Sequence, residues 1–178
     1  MRNTGLGLAV LALAACSVLR PASRQQQPAG VDNARVQLTD SSGRRIGEAS
    51  LQQTPNGVIM TLDLSGAPPG SHGLHFHAVG ECQPPFTSAG PHFNPTGRAH
   101  GLRNPNGPHA GDMPNVYVPE SGALRADLLI TGVSLQPGPN SLLDADGSSL
   151  MLHAFADDYV TDPSGGSGAR IACGVVRR

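Results

Sequence analysis

The chain has 178 residues, 12 basic side chains that are all arginine, 13 acidic ones and a formal net charge of −1. No basic stripe or RNA-binding aromatic motif is present, which excludes nucleic acid as a partner. Aromatics are 3% and Trp is absent, while Gly (23) and Pro (16) are abundant, so short strands and long turns are favoured over a helical bundle.

The N-terminus reads as a targeting segment. Arg2 precedes an apolar run at residues 6–15, and Leu13-Ala14-Ala15-Cys16 resembles the bacterial lipoprotein signal. Ten such residues are too few to span a bilayer, where about 20 are needed. The expected organisation is a signal peptide at residues 1–15, a lipidated Cys16 with a flexible Pro/Gln/Ser-rich tether at 16–33, and one domain at 34–178. An uncleaved signal anchor, or cleavage elsewhere with Cys16 incidental, is the alternative. The lipoprotein reading puts the protein in the bacterial cell envelope, membrane-anchored outside the cytoplasm. With Cys16 given to lipid, Cys82 and Cys173 remain, an even number as export favours. They are either two buried free thiols or a bond closing a long loop, worth about 4 kcal/mol in the chain-entropy model.

From Ala34 the apolar period is close to two. Val36 and Leu38 alternate with polar neighbours; residues 46–53 and 58–64 flank Thr54-Pro55-Asn56-Gly57, whose Asn-Gly is a hairpin signal. A strand through residues 73–77 follows the turn at 67–70. Residues 78–114 are proline-rich and aperiodic. Strand character returns at 116–118, 124–131, 149–155 and 171–176, with a second long polar loop at 156–169. About eight short strands, two long loops and no amphipathic helix predict an all-β fold, an antiparallel Greek-key barrel or sandwich. Loops longer than about 12–15 residues in compact domains are usually functional or disordered, and a disordered loop would not need the histidines that the longest one carries.

All seven histidines, His72, His75, His77, His92, His100, His109 and His153, fall in one half of the chain. His75 and His77 are two apart on a strand, so both rings project from one face. His72 has the opposite parity and reads as a supporting residue rather than a ligand. His92, His100 and His109 punctuate the first long loop, and Asp112 completes a set of three imidazoles and one carboxylate suited to zinc. His153 returns from a distant strand toward His75 and His77, an all-imidazole set suited to copper. Two four-coordinate sites need eight ligand places from seven residues, so one imidazole must be shared.

Gly73-Leu74-His75-Phe76-His77, Ser88-Ala89-Gly90-Pro91-His92-Phe93-Asn94-Pro95, His109-Ala110-Gly111-Asp112, His153 with Ala156-Asp157-Asp158, and Arg170-Ile171-Ala172-Cys173-Gly174-Val175 occur in this order. Together they resemble the copper/zinc superoxide dismutases. Ser141-Leu142-Leu143-Asp144 and Asp162-Pro163-Ser164-Gly165 are similar to the bacterial lipoprotein-type members. The resemblance implies an eight-stranded Greek-key barrel, one copper and one zinc per chain, and a cycle between Cu(II) and Cu(I) that turns superoxide into oxygen and hydrogen peroxide. It implies copper ligands at His75, His77, His92 and His153, zinc ligands at His92, His100, His109 and Asp112, and His92 as the bridge that also carries a proton. It further implies a disulfide between Cys82 and Cys173, an orienting carboxylate at Asp157 and an anion-attracting guanidinium at Arg170. Where many members carry a Glu-Lys pair this chain has Ala154 and Phe155, so steering is expected to depend on Arg170 and the metals. The competing readings are a non-catalytic copper- or zinc-binding relative on the same scaffold, and an unrelated zinc hydrolase, whose metal would need an open position. No motif distinguishes a homodimer from a monomer.

Overall fold

The computed structural model describes Met1 and residues 32–178; the expected signal peptide, Cys16 and nearly all of the tether lie outside the described residues. Strand β1 (Asn33–Asp40), β2 (Arg45–Thr54) and β3 (Gly57–Ser65) form a meander. Their burial alternates residue by residue, with Val36 and Leu38, Ala49 and Leu51, and Met60, Leu62 and Leu64 turned into one core, as a sheet with one buried face requires. The β2–β3 turn falls on the expected Asn-Gly, and Thr54 pairs with Gly57.

Then come β4 (Gly70–His72), β5 (Leu74–His77), β6 (Val116–Val118), β7 (Ala123–Ile130), β8 (Ser149–His153) and β9 (Arg170–Val175). Seven strands make one antiparallel sheet in the order β5-β8-β9-β1-β2-β3-β7, and β4 pairs with β6 in a second. Since β4 runs into β5 and β6 leads to β7, the small pair links the two open edges of the large sheet. The all-β Greek-key architecture is as expected.

One strand is additional. The predicted strand at 73–77 appears as β5, but ahead of it β4, where no strand was expected, pairs with β6, so the chain changes sheets at Gly73 and nine strands stand among the described residues instead of about eight. Gly73 sits where a Cβ would lie 2.9 Å from the Cβ of Ser167; its N–H donates to Phe155 and its carbonyl accepts from His153. Local periodicity carries no trace of that crossing.

Strands β5 and β8 differ from the others in being buried at every residue. Leu74 and Phe76 enter the apolar core, while His75 and His77 face the other way beneath the first long loop. That loop docks along the free edge of β5: Phe93 N–H donates to Phe76, Phe76 N–H to Gly111, and Ala78 N–H to Pro91. An exposed edge strand is thereby covered, and His92 and Asp112 are laid opposite His77 and His75.

Candidate metal centre

Six histidines and Asp112 converge into two adjoining groups. His75, His77, His92 and His153 offer ligand atoms that all lie within 4.8 Å of one another, as do those of His92, His100, His109 and Asp112. Every one of these residues is buried, and His92 belongs to both groups. The shared imidazole demanded by the ligand count is therefore present.

Hydrogen bonding identifies the nitrogens. In the first group one nitrogen of each ring is taken: His75 Nε2 by Asp157 (2.8 Å), His77 Nδ1 by the Gly90 carbonyl (2.9 Å), His92 Nδ1 by Asp112 (2.8 Å) and His153 Nδ1 by the Gly168 carbonyl (3.4 Å). The other nitrogen in each case, His75 Nδ1, His77 Nε2, His92 Nε2 and His153 Nε2, is buried with no partner. A buried polar atom left unsatisfied costs roughly 1–3 kcal/mol, and four facing one another are accounted for by a cation among them. In the second group His92 Nδ1 and His109 Nδ1 are 3.4 Å apart, and Asp112 Oδ1 is 2.8 Å and 3.3 Å from them. His100 Nδ1 lies 3.0 Å from Asp112 Oδ2 without hydrogen-bond geometry. Edges near 3.3 Å are those of a tetrahedron with metal–ligand arms of about 2.0–2.1 Å. His92 thus presents Nε2 to one group and Nδ1 to the other.

Electrostatics keep the lone pairs available. Burial withholds water from the charged ring and pushes His77 down to about 2, His92 to about 4 and His153 to about 3, and neighbouring imidazoles repel a second positive charge. Neutral rings are what metals bind. Burial also opposes charge at His100, but Asp112 and Asp157 outweigh it and lift the ring to about 9. Asp112 and Asp157, despite burial, are held well below the usual carboxylate range by the rings and backbone N–H groups around them.

Asp157 joins the two groups from behind. Oδ2 accepts from His75 Nε2, and Oδ1 lies 3.1 Å from His100 Nε2, so one carboxylate orients a ring in each set. Asp157 is itself clamped. Asn115 Nδ2 donates to its carbonyl and Asn115 Oδ1 accepts from its N–H, both at 2.8 Å, while Tyr159 N–H donates to Oδ1 and the Tyr159 hydroxyl accepts from Asn115 N–H. Gly165, at φ +63°, leaves room for the carboxylate: a Cβ there would fall 1.9 Å from Asp157 Oδ1. Asn115, Tyr159 and Gly165 were missed by sequence reasoning, apart from Gly165 standing in a run quoted for family likeness. His72 is no ligand, since its Nδ1 faces the His153 carbonyl and its Nε2 the Pro68 carbonyl, leaving neither nitrogen free.

The first group opens onto a cavity of about 820 Å³ whose wall includes His92, His153 and Arg170. Arg170 donates to the Phe86 and Gly90 carbonyls, each at 2.7 Å, and Gly90 is also the acceptor for His77. The disulfide between Cys82 and Cys173 ties this carbonyl-bearing loop to β9.

With this geometry in hand, the comparisons are specific. A family model described as copper/zinc superoxide dismutase matches residues 45–176. The chain is similar to superoxide dismutase [Cu-Zn] 2 of Aquifex aeolicus, 48% identical over 147 residues that cover 81% of this chain and 86% of the relative. Among solved structures it is similar to a SOD-like protein from Bacillus subtilis (TM-score 0.77, 39% identity, 79% of this chain and 96% of the other). The Cu/Zn superoxide dismutase from Brucella abortus superposes with a TM-score of 0.66 at 27% identity, covering 80% and 98% of the two chains.

Proposed function

This chain belongs to the copper/zinc superoxide dismutase family, and from that premise we propose that His75, His77, His92 and His153 hold copper while His92, His100, His109 and Asp112 hold zinc. Its activity is the dismutation of superoxide to oxygen and hydrogen peroxide. The observation that carries the assignment is the quartet of unpartnered ring nitrogens, with His92 turned so that its two nitrogens serve different groups. When bound, copper supplies the one-electron couple and zinc a fixed positive charge without redox chemistry.

The chain's own residues do the rest. Arg170, tethered by two carbonyls, retains further N–H donors and draws the anion into the cavity beside His92 and His153. His92 Nε2 is the atom that holds a proton when it is not ligating, at the wall of the same cavity. Asp157 keeps His75 and His100 in fixed orientation, so neither ring can swing away between turnovers. A complete all-imidazole tetrad argues against a non-catalytic relative, and a closed His3Asp set argues against a hydrolytic zinc.

Ahead of the domain, residues 1–15 serve as an export signal and Cys16 carries lipid, anchoring the enzyme to an envelope membrane outside the cytoplasm. The apolar run at residues 6–15, the Leu13-Ala14-Ala15-Cys16 sequence and a disulfide suited to an oxidising compartment support this. In cell fractionation the wild type stays with the membrane and Cys16→Ala is released; a wild type found in the soluble fraction contradicts it. For the enzyme, metal analysis of the purified protein with a superoxide-decay assay is expected to give one copper and one zinc per chain and activity lost to chelation. Copper binding without superoxide decay overturns the catalytic assignment.

A further inference from the structure

The wall of the active-site cavity includes, besides Arg170, the residues Asp144 and Asp146. Both come from the turn that leads into β8, and both are exposed. No ion pair involves either one among the described residues, whereas Asp40, Glu48 and Asp63 each have an arginine partner. No lysine exists in the chain to offset them, and Arg170 is the one Lys or Arg on that wall; Arg177 and Arg178 share a separate cleft with the two aspartates without pairing to either. A cleft with low-dielectric walls focuses the field of the charges that line it.

We propose that Asp144 and Asp146 form an acidic rim that slows anion entry, so that this enzyme captures superoxide below the rate its Arg170 and metals would otherwise allow. The proposal rests on the dismutase reading and makes the two aspartates rate-setting without contact with the reacting atoms. Repulsion of this kind acts before binding, so it lowers the association rate and leaves the chemistry at the metal unchanged. It is also removed by salt, because the screening length shrinks from about 30 Å at 0.01 M to about 3 Å at 1 M. Partial desolvation by the cavity wall and the nearness of Asp146 push the Asp144 carboxyl up from its ordinary value, which agrees with two like charges sharing one turn.

The test uses the full-length, metal-loaded protein and its variant D144N/D146N. A control, D63N/E120Q, removes the same formal charge from positions that line no part of the cavity. The second-order rate with superoxide is measured from low to high ionic strength. The rim variant is expected to react roughly threefold faster at 0.01 M salt, to lose rate more steeply as salt rises, and to meet the wild type at 1 M. Azide binding, followed by the copper absorption band, is expected to tighten in parallel at low salt only. The proposal is overturned by equal rates and equal azide affinities at low salt, or by a control that gains as much as the rim variant. If the wild type shows no dismutation, the dismutase reading fails on its own, and azide affinity still decides whether the rim repels anions.

Discussion

Asp157 shows how much a single carboxylate can organise. It belongs to neither four-residue group, yet it fixes one ring of each and is gripped by Asn115 and Tyr159. Loss of such outer partners typically costs 10–100-fold in metal affinity. Asn115→Ala and Gly165→Ala are each expected to weaken zinc retention by that order, read as zinc lost to a competing chelator. Unchanged retention in both would show that the clamp is ornamental. Arg170→Ala is expected to lower the superoxide rate markedly at low salt; an unchanged rate removes Arg170 from the capture step. The pH behaviour of the metal-free protein follows from the same residues. His77, His92 and His153 have folded values depressed to about 2–4 against about 6.5 unfolded, so the unfolded chain takes up protons first. Their contribution to stability is full above about pH 6.5 and lost as pH falls toward 2–4. His100, raised to about 9, has the reverse sign and loses its contribution as pH rises from 6.5 to 9. Three against one predicts that the metal-free fold weakens steadily below about pH 6.5, measured by urea midpoints; a midpoint that rises on acidification contradicts it.

At the scale of elements, β5 is the hinge between core and site. Its parity puts Leu74 and Phe76 into the barrel and His75 and His77 under the loop, a division already legible in the spacing of the two histidines. The loop is held by two devices, backbone pairing along the β5 edge and the Cys82–Cys173 bond to β9. Cys82→Ser with Cys173→Ser is expected to cost about 4 kcal/mol by the loop-entropy model, seen as a lower urea midpoint, and to loosen the Phe86 and Gly90 carbonyls that hold Arg170. A loss below about 1 kcal/mol would mean that the edge pairing alone secures the loop. Sequence reasoning stopped where long loops meet. Asn115 and Asp157 lie 42 positions apart, each in an irregular segment beside a strand, and their contact is set by how those two segments pack. Strand β4 was hidden for a related reason, since Gly70-Ser71-His72 follows a Pro-Pro turn and has no apolar alternation to mark it. The role of Arg170 came from family resemblance alone; its own neighbourhood in the sequence marks it as one arginine among twelve.

As a whole molecule, the barrel is an apolar frame that delivers two metal sites to one side. Leu38, Leu62, Leu74, Phe76 and Leu150 fill its interior, while the polar ligands sit between β5, β8 and the covering loop, buried but outside the hydrophobic cluster. Metal binding is therefore coupled to order in the loops more than to the strands. Because ions that bind the folded state alone stabilise it by mass action, zinc and copper should each raise the thermal midpoint. The central claim is that one imidazole joins the two ions. Anomalous diffraction from crystals of the copper- and zinc-loaded protein, recorded at both absorption edges, tests it most directly. Copper is expected against His92 Nε2 and zinc against His92 Nδ1 in the same molecule; a single ion, or two ions of which one makes no contact with His92, contradicts a shared imidazole.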